Sequence, residues 1–197
     1  MRLVIDSTGL KLFGRGEGGE KKHGRRRRSW RKPHLAVDAG TGEIAASVLT
    51  DCAPYDAGQM PAPLEAIEGE IASVTAQGAC DGEPVYRAIA SRQPDPVPDV
   101  VTPPRASAVP GTEGADERSQ RDRHIRPIAE RGRMARQEAT GHGRRSLAET
   151  AVGRHEAIIG PKLRARGLPA RQGEAALAAE ALDRMIRTAK PISVRVA

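Results

Sequence analysis

Two stretches near the start decide how this chain folds: residues 2–13, RLVIDSTGLKLF, and residues 33–50, PHLAVDAGTGEIAASVLT. In the first, residues 3–6 form a short run rich in β-branched side chains. The turn-forming Ser7, Thr8 and Gly9 end it and residues 10–13 resume it, a pattern that predicts a strand and hairpin. In the second, residues 34–38 and 43–50 predict two strands about the tight turn at 39–42, Ala-Gly-Thr-Gly. Pro33 opens the first of these strands, where a missing N–H does least harm.

Beyond residue 50 the pattern alternates. Leu64, Ile67 and Ile71 stand at helical spacing and predict a short helix over 63–70, with a strand over 71–76. Pro84 near the start, with Val85 and Ile89 on one face, predicts a helix over 83–92. Val100 and Val101 predict a brief strand inside a stretch, 94–116, that carries six prolines and reads as loop or disorder. Residues 118–145, with nine arginines against three acids, predict a polar helix. Two final helices are expected over 146–159 and 172–188, the latter with Leu177, Leu182, Met185 and Ile186 as its apolar stripe. The order is that of a mixed α/β domain, with no internal repeat.

Composition narrows the function classes. The 197 residues suit one domain, and Leu, Ile, Val and Phe number only 35, so the core is thin. The longest uncharged apolar stretches are about seven residues, far short of the ~20 of a membrane helix. The N-terminus lacks the apolar run of a secretory signal. Cys52 and Cys80 make neither a zinc-type pair nor a disulfide framework, and a reducing cytoplasm is the expected setting. The formal charge of +7 is uneven. Residues 1–32 hold 11 Lys and Arg against 3 acids, and the remainder is nearly neutral with 21 against 22. Such a local excess points to a polyanion-binding surface. Within it Lys21, Lys22, Arg25, Arg26, Arg27, Arg28, Arg31 and Lys32 surround Trp30. Arginine forks bind phosphates bidentately and the indole can stack on a base or pack inward. The same run also reads as a solvated loop.

Asp6, at the end of a strand beside turn residues, suits a metal or a phosphate-bearing substrate, and equally a turn. Glu149 lies three residues after Ser146, the spacing of a capping box. The five histidines are scattered without metal-ligand spacing and read as surface or incidental positions. Gly14, Gly16, Gly18 and Gly19 open no helix and so make no dinucleotide fingerprint.

The strings IDSTGLKLFGRGE, KKHGRRRRSWRKPHLAVDAGTGEI, VTAQGACDGEPVYRAI and VVTPPRASAVP, with the Arg-rich run from 121 to 168, resemble in order the DDE domain of bacterial insertion-sequence transposases, of the insertion-sequence-five type. The resemblance implies a ribonuclease-H-like α/β fold, a mixed sheet flanked by helices, with a flexible basic hairpin arm over 14–32 and the Pro-rich loop over 94–116. A single catalytic domain would span 1–197. It implies an active site of two Asp and one Glu holding two divalent ions, Mg²⁺ or Mn²⁺, that cleaves and rejoins double-stranded DNA at element ends and target. The expected state is a homo-oligomer on DNA, with no membrane involvement, in the cytoplasm at the nucleoid.

By this resemblance the first Asp falls on Asp6, and the Glu on Glu149 in a signature of Tyr, two residues, Arg, three residues, Glu, six residues, Lys. Arg145 and Glu149 match it, which makes Asp6 and Glu149 the implied metal ligands. Arg144 and Arg145 join the basic run as implied DNA contacts. The departures bear on activity. Gln77 occupies the second aspartate's place in a string that here reads Gln77-Gly78-Ala79-Cys80-Asp81, with Asp81 a substitute only if its loop rearranges. The signature Tyr is His142, its Lys is Glu156, and Cys80 stands where family members carry a second Tyr. Family chains usually begin with a further N-terminal segment implicated in recognising element ends, whereas this sequence starts at the first catalytic strand. Two functions are therefore expected in competition: a transposase domain with impaired cleavage and strand transfer, or a non-catalytic, truncated remnant that retains DNA binding.

Overall fold

A computed structural model of the chain describes residues 1–13, 30–50, 61–109 and 120–188. Its strands are β1 (Arg2–Ser7), β2 (Leu10–Leu12), β3 (Trp30–Asp38), β4 (Ile44–Thr50), β5 (Ser73–Ala76), β6 (Asp99–Val101) and β7 (Lys162–Leu163). Its helices are α1 (Pro61–Glu65), α2 (Glu83–Arg92), α3 (Gln120–Thr140), α4 (Ser146–Arg154) and α5 (Leu168–Thr188). The strands form one mixed sheet in the order β6-β5-β1-β3-β2-β7, with β4 on the other edge of β3. Strands β1, β3 and β4 run antiparallel in succession, and β5 and β6 lie parallel to β1. With helices on both faces this is the ribonuclease-H-like arrangement.

Strand β1 shows why the sheet forms as it does. Leu3, Val4, Ile5 and Asp6 are all buried, because β1 has neighbours on both edges and helices on both faces. The pleat sends alternate side chains to opposite faces. Leu3 and Ile5 join Val74, Ala76, Leu64, Val85 and Ile89 beneath α1 and α2. Val4 joins Leu35, Val37, Ala148, Ala151 and Leu182 beneath α4 and α5. Asp6, two residues beyond Val4, shares the α4 face.

The expected hairpin within residues 3–13 does not form. β1 and β2 pair successively with the same edge of β3, Ser7 opposite His34 and Leu10 opposite Arg31, with Thr8 bonded to Pro33 across the gap. Ser7-Thr8-Gly9 interrupts one long strand and does not reverse it. The hairpin expected over 34–50 is present as β3 and β4, with Gly42 at φ 78° in its turn. Of the arm expected over 14–32, Trp30, Arg31 and Lys32 are the first residues of β3 and so belong to the sheet. Lys21, Lys22, Arg25, Arg26, Arg27 and Arg28 lie outside the described residues, as does the part of the Pro-rich stretch over 110–116.

Three helices also differ from expectation. The long polar helix is broken at Gly132, whose φ of 82° and ψ of 169° are not helical, and it ends at Thr140. The helix expected over 146–159 passes at His155–Ile159 into a π-turn. Helix α5 begins at Leu168 and buries Ala175, Ala178, Ala179, Leu182 and Asp183, whereas Leu177 and Met185 of the expected stripe are 73% and 50% exposed. Small alanine side chains let α5 lie close against β4, so the apolar stripe is rotated from where the larger residues would set it. Among the described residues no helix is long and apolar enough to cross a membrane.

The surface reading fails for several of the described histidines, while His23 lies outside the described residues. His34 and His155 are buried, and His124 is partly buried with its ring N–H bonded to the Val100 carbonyl at 2.6 Å. Burial holds His124, His142 and His155 below the usual imidazole range. The unfolded chain therefore takes up protons first as pH falls, and stability declines below pH about 6.5. The melting temperature, followed by circular dichroism, is expected to drop between pH 7.5 and 5.5; a flat profile over that interval would contradict the buried neutral imidazoles.

Candidate functional site

The C-terminal ends of the parallel strands β1 and β5 create the site. The register pairs Ile5 with Ala76, so the next residues, Asp6 and Gln77, leave the two strands side by side. Gln77 is still extended, at φ −73° and ψ 161°, which continues the pleat. It therefore keeps the face of Thr75, opposite the Val74 and Ala76 side chains under α2. A 3₁₀ turn, Gly78–Cys80, then departs from the sheet. Its close approach needs glycine: a Cβ on Gly78 would stand 3.2 Å from the Pro103 carbonyl oxygen.

Glu149 reaches the same place from α4. A left-handed Gly141 (φ 65°) ends α3, and a 3₁₀ turn, His142–Arg145, leads straight into α4. Because that turn precedes it, Ser146 is already helical. Its hydroxyl donates to the Gly143 carbonyl at 3.1 Å, and the capping box expected with Glu149 is not made. Glu149 is instead free to pair with Arg145 one turn earlier, Nη2 to Oε1 at 2.8 Å. The same Nη2 donates to Oδ2 of Asp6 at 3.2 Å, and Oδ1 of Asp6 accepts the Ser7 N–H at 2.8 Å. One guanidinium thus joins the two carboxylates from 143 residues apart in the chain. Asp6 is buried, Arg145 is 30% exposed and Glu149 is 55% exposed at their side chains, so the pair opens to solvent on the Glu149 side.

His142 lies at the back of this site. Its ring bonds the carbonyl of Ala76, the residue before Gln77, and burial together with the nearby Arg136 and Arg145 charges holds it below its usual range. Glu156, at the signature's Lys position, accepts from the Thr8 hydroxyl at 3.3 Å, just beyond the end of β1. Arg144 is exposed beside Arg145. Trp30 lies against Gly9 at the start of β3, 36% exposed, opposite Lys11.

Asp81 is not brought to this cluster's arginine. Its fully buried carboxylate takes a two-pronged contact from Arg121, at 2.8 and 3.1 Å, and the Arg105 backbone N–H at 3.0 Å. Both oxygens are engaged, which holds the Arg121 guanidinium above its usual range. The sequence offered no signal for this pairing, since Arg121 is one of nine arginines in its run. The neighbouring Tyr86 hydroxyl is buried and pushed up to about 12, mainly by desolvation and then by the Asp81 charge.

As a metal centre the donor set is partial. Asp6 and Glu149 supply hard carboxylate oxygens of the kind Mg²⁺ and Mn²⁺ prefer, and Gln77 can add one neutral amide oxygen. Among the described residues no group of three His, Cys, Asp or Glu side chains is placed to hold a metal ion. The set lacks one of the three carboxylates that the resemblance implies.

A family model described as Transposase DDE domain matches residues 1–182. No solved structure matches the chain.

The Asp81–Arg121 pair gives a stability prediction. Arg121→Ala leaves a carboxylate buried without its partner and is expected to cost about 3–5 kcal/mol, whereas replacing both residues by Asn and Gln costs less. Chemical denaturation of the two variants checks the order; equal losses would show that the pair carries no coupling.

Proposed function

This chain belongs to the transposase DDE-domain family, and from that premise we propose that it is a DNA strand-cleaving and strand-transferring domain of an insertion sequence whose catalysis is impaired at Gln77. The observation that carries this is the register of β1 and β5, which sets Gln77 beside Asp6 with Glu149 joined to Asp6 through Arg145. Distant segments converge where the family needs carboxylates, and one of the three is an amide.

Family members generally use divalent metal ions. Such ions activate a water or 3′-hydroxyl and steady the leaving oxygen. Asp6 and Glu149 would hold them. Gln77 can position an oxygen there but offers no charge to offset the cation. Asp81 would have to abandon Arg121 and leave that guanidinium unpaired to take its place. Within the same reading, the protein works as a homo-oligomer on element ends and target, at the nucleoid. The runner-up, a non-catalytic remnant that keeps DNA affinity, draws on the same Gln77.

A nicking and strand-transfer assay in Mg²⁺ or Mn²⁺ separates the two. Feeble cleavage by wild type is expected to rise in Gln77→Asp and to vanish when Asp6→Ala is added. Robust wild-type cleavage that Asp6→Ala removes would overturn the impairment, and cleavage by neither form would favour the remnant.

Phosphate contacts in this reading come from Lys21, Lys22, Arg25–Arg28, Arg31 and Lys32, with Arg144 and Arg145 nearer the carboxylates and Trp30 available for stacking. Counterion release then requires affinity for duplex DNA to fall steeply with salt. Changing Arg25, Arg26, Arg27 and Arg28 to Ala should remove most binding in a gel-shift titration; unchanged affinity would take this run off the DNA surface.

A further inference from the structure

The arrangement around Arg145 bears on how many cations the site can take. A single nitrogen, Nη2, touches both Oδ2 of Asp6 and Oε1 of Glu149, at 3.2 and 2.8 Å. A metal ion shared by these same two oxygens would compete with that nitrogen for its place. The guanidinium is always charged, and its two carboxylate contacts hold the head group in the site, with Nε buried behind it.

Charge counting gives the same direction. Asp6 and Glu149 bring −2, Gln77 brings none, and Arg145 returns +1. A pair of divalent ions about 3.5–4 Å apart would add +4 to a site already neutralised by half. With an Asp at position 77 the second ion would have a carboxylate of its own on the β5 side. Here it would face a neutral amide and, across a few ångströms, a fixed positive charge whose repulsion is not damped by water on the buried side.

We infer that Arg145 is the resident counter-cation of Asp6 and Glu149, and that the chain takes a single divalent ion there, in competition with the guanidinium, in place of two. This rests on the metal-dependent reading proposed above. Asp6 and Glu149 would hold the ion on the open Glu149 side, with Nη2 giving up at least one of the two carboxylates. Asp6 stays aimed by its bond from the Ser7 N–H. Arg145 freed in this way becomes available to a DNA phosphate, so cation loading and Arg145 contact with DNA are coupled.

Mn²⁺ binding to the full chain, counted by electron paramagnetic resonance and isothermal titration calorimetry, tests the inference without any turnover. Wild type is expected to bind one Mn²⁺. Arg145→Gln is expected to bind one with Kd lowered on the order of ten-fold, because the competing charge is gone. Gln77→Asp is expected to bind two. Two ions in wild type would overturn the inference, and so would an unchanged or weaker Kd in a folded Arg145→Gln, with circular dichroism reporting the fold. The wild-type count stands even if that variant misfolds. Wild-type binding that Asp6→Asn with Glu149→Gln leaves untouched, or no binding at all, would overturn the metal-dependent reading along with it, an outcome distinct from two ions at an intact site.

Discussion

Strand β1 is hydrogen-bonded along both edges, antiparallel to β3 and parallel to β5, and packed by helices on both faces. Its register cannot slip by one residue without sending Leu3 and Ile5 to the α4 face and Val4 and Asp6 to the α2 face. The core therefore aims the site. The apolar contacts that hold Leu3 and Ile5 under α2 are the reason Asp6 emerges toward Arg145, and the parallel partner brings position 77 to the same height. Large-to-small changes in this strand would cost about 2–5 kcal/mol each and misplace the carboxylate together with the packing.

Two of the buried aspartates, Asp6 and Asp81, are treated in opposite ways. Asp81 has no exposed side-chain surface and is closed by a forked arginine and a backbone N–H, all within the segments that fold the 3₁₀ turn and the start of α3. Breaking it strands a buried charge, so it acts as a fastener. Asp6 is nearly as buried, yet its arginine is shared with a glutamate that is more than half exposed. Water can reach that second carboxylate, and the exchange of guanidinium for another cation costs far less there. Adaptability in this region belongs to the Asp6 side and rigidity to the Asp81 side.

Most strands were legible in the sequence because β-branched runs and turn residues obey local rules, but their pairing was not, as Ser7-Thr8-Gly9 was read as a reversal. Helix α2 was equally plain, with Pro84 and the Val85–Ile89 face both in place. What escaped local rules was set by tertiary contact. β7 is two residues long and exists because Lys162 and Leu163 lie beside Lys11 and Leu12. The α5 face turned on how closely alanine lets a helix approach a sheet. The capping box at Ser146 failed because a preceding 3₁₀ turn had already satisfied that helix end. For the site, Asp6 and Glu149 came from resemblance, not periodicity, and the bridge through Arg145 depends on a contact across almost the whole chain.

Around position 77, three residues, Gln77, Cys80 and His142, differ from the pattern that the resemblance implies. Cys80 is buried at the end of the 3₁₀ turn, and His142 is bonded to the backbone just ahead of Gln77. A third carboxylate beside Asp6 and Glu149 would repel both in the absence of a cation, and one guanidinium could not neutralise three. An amide removes that repulsion, and burial of the nearby His142 favours its uncharged ring. On the reading proposed above, a neutral residue at position 77 would relax the metal-free protein while weakening its hold on divalent ions, the usual opposition between stability and function at a charged centre. A scaffold of buried strands outlasts such changes, because Leu3, Ile5, Val74 and Ala76 pack against one another and α2 on the face away from position 77.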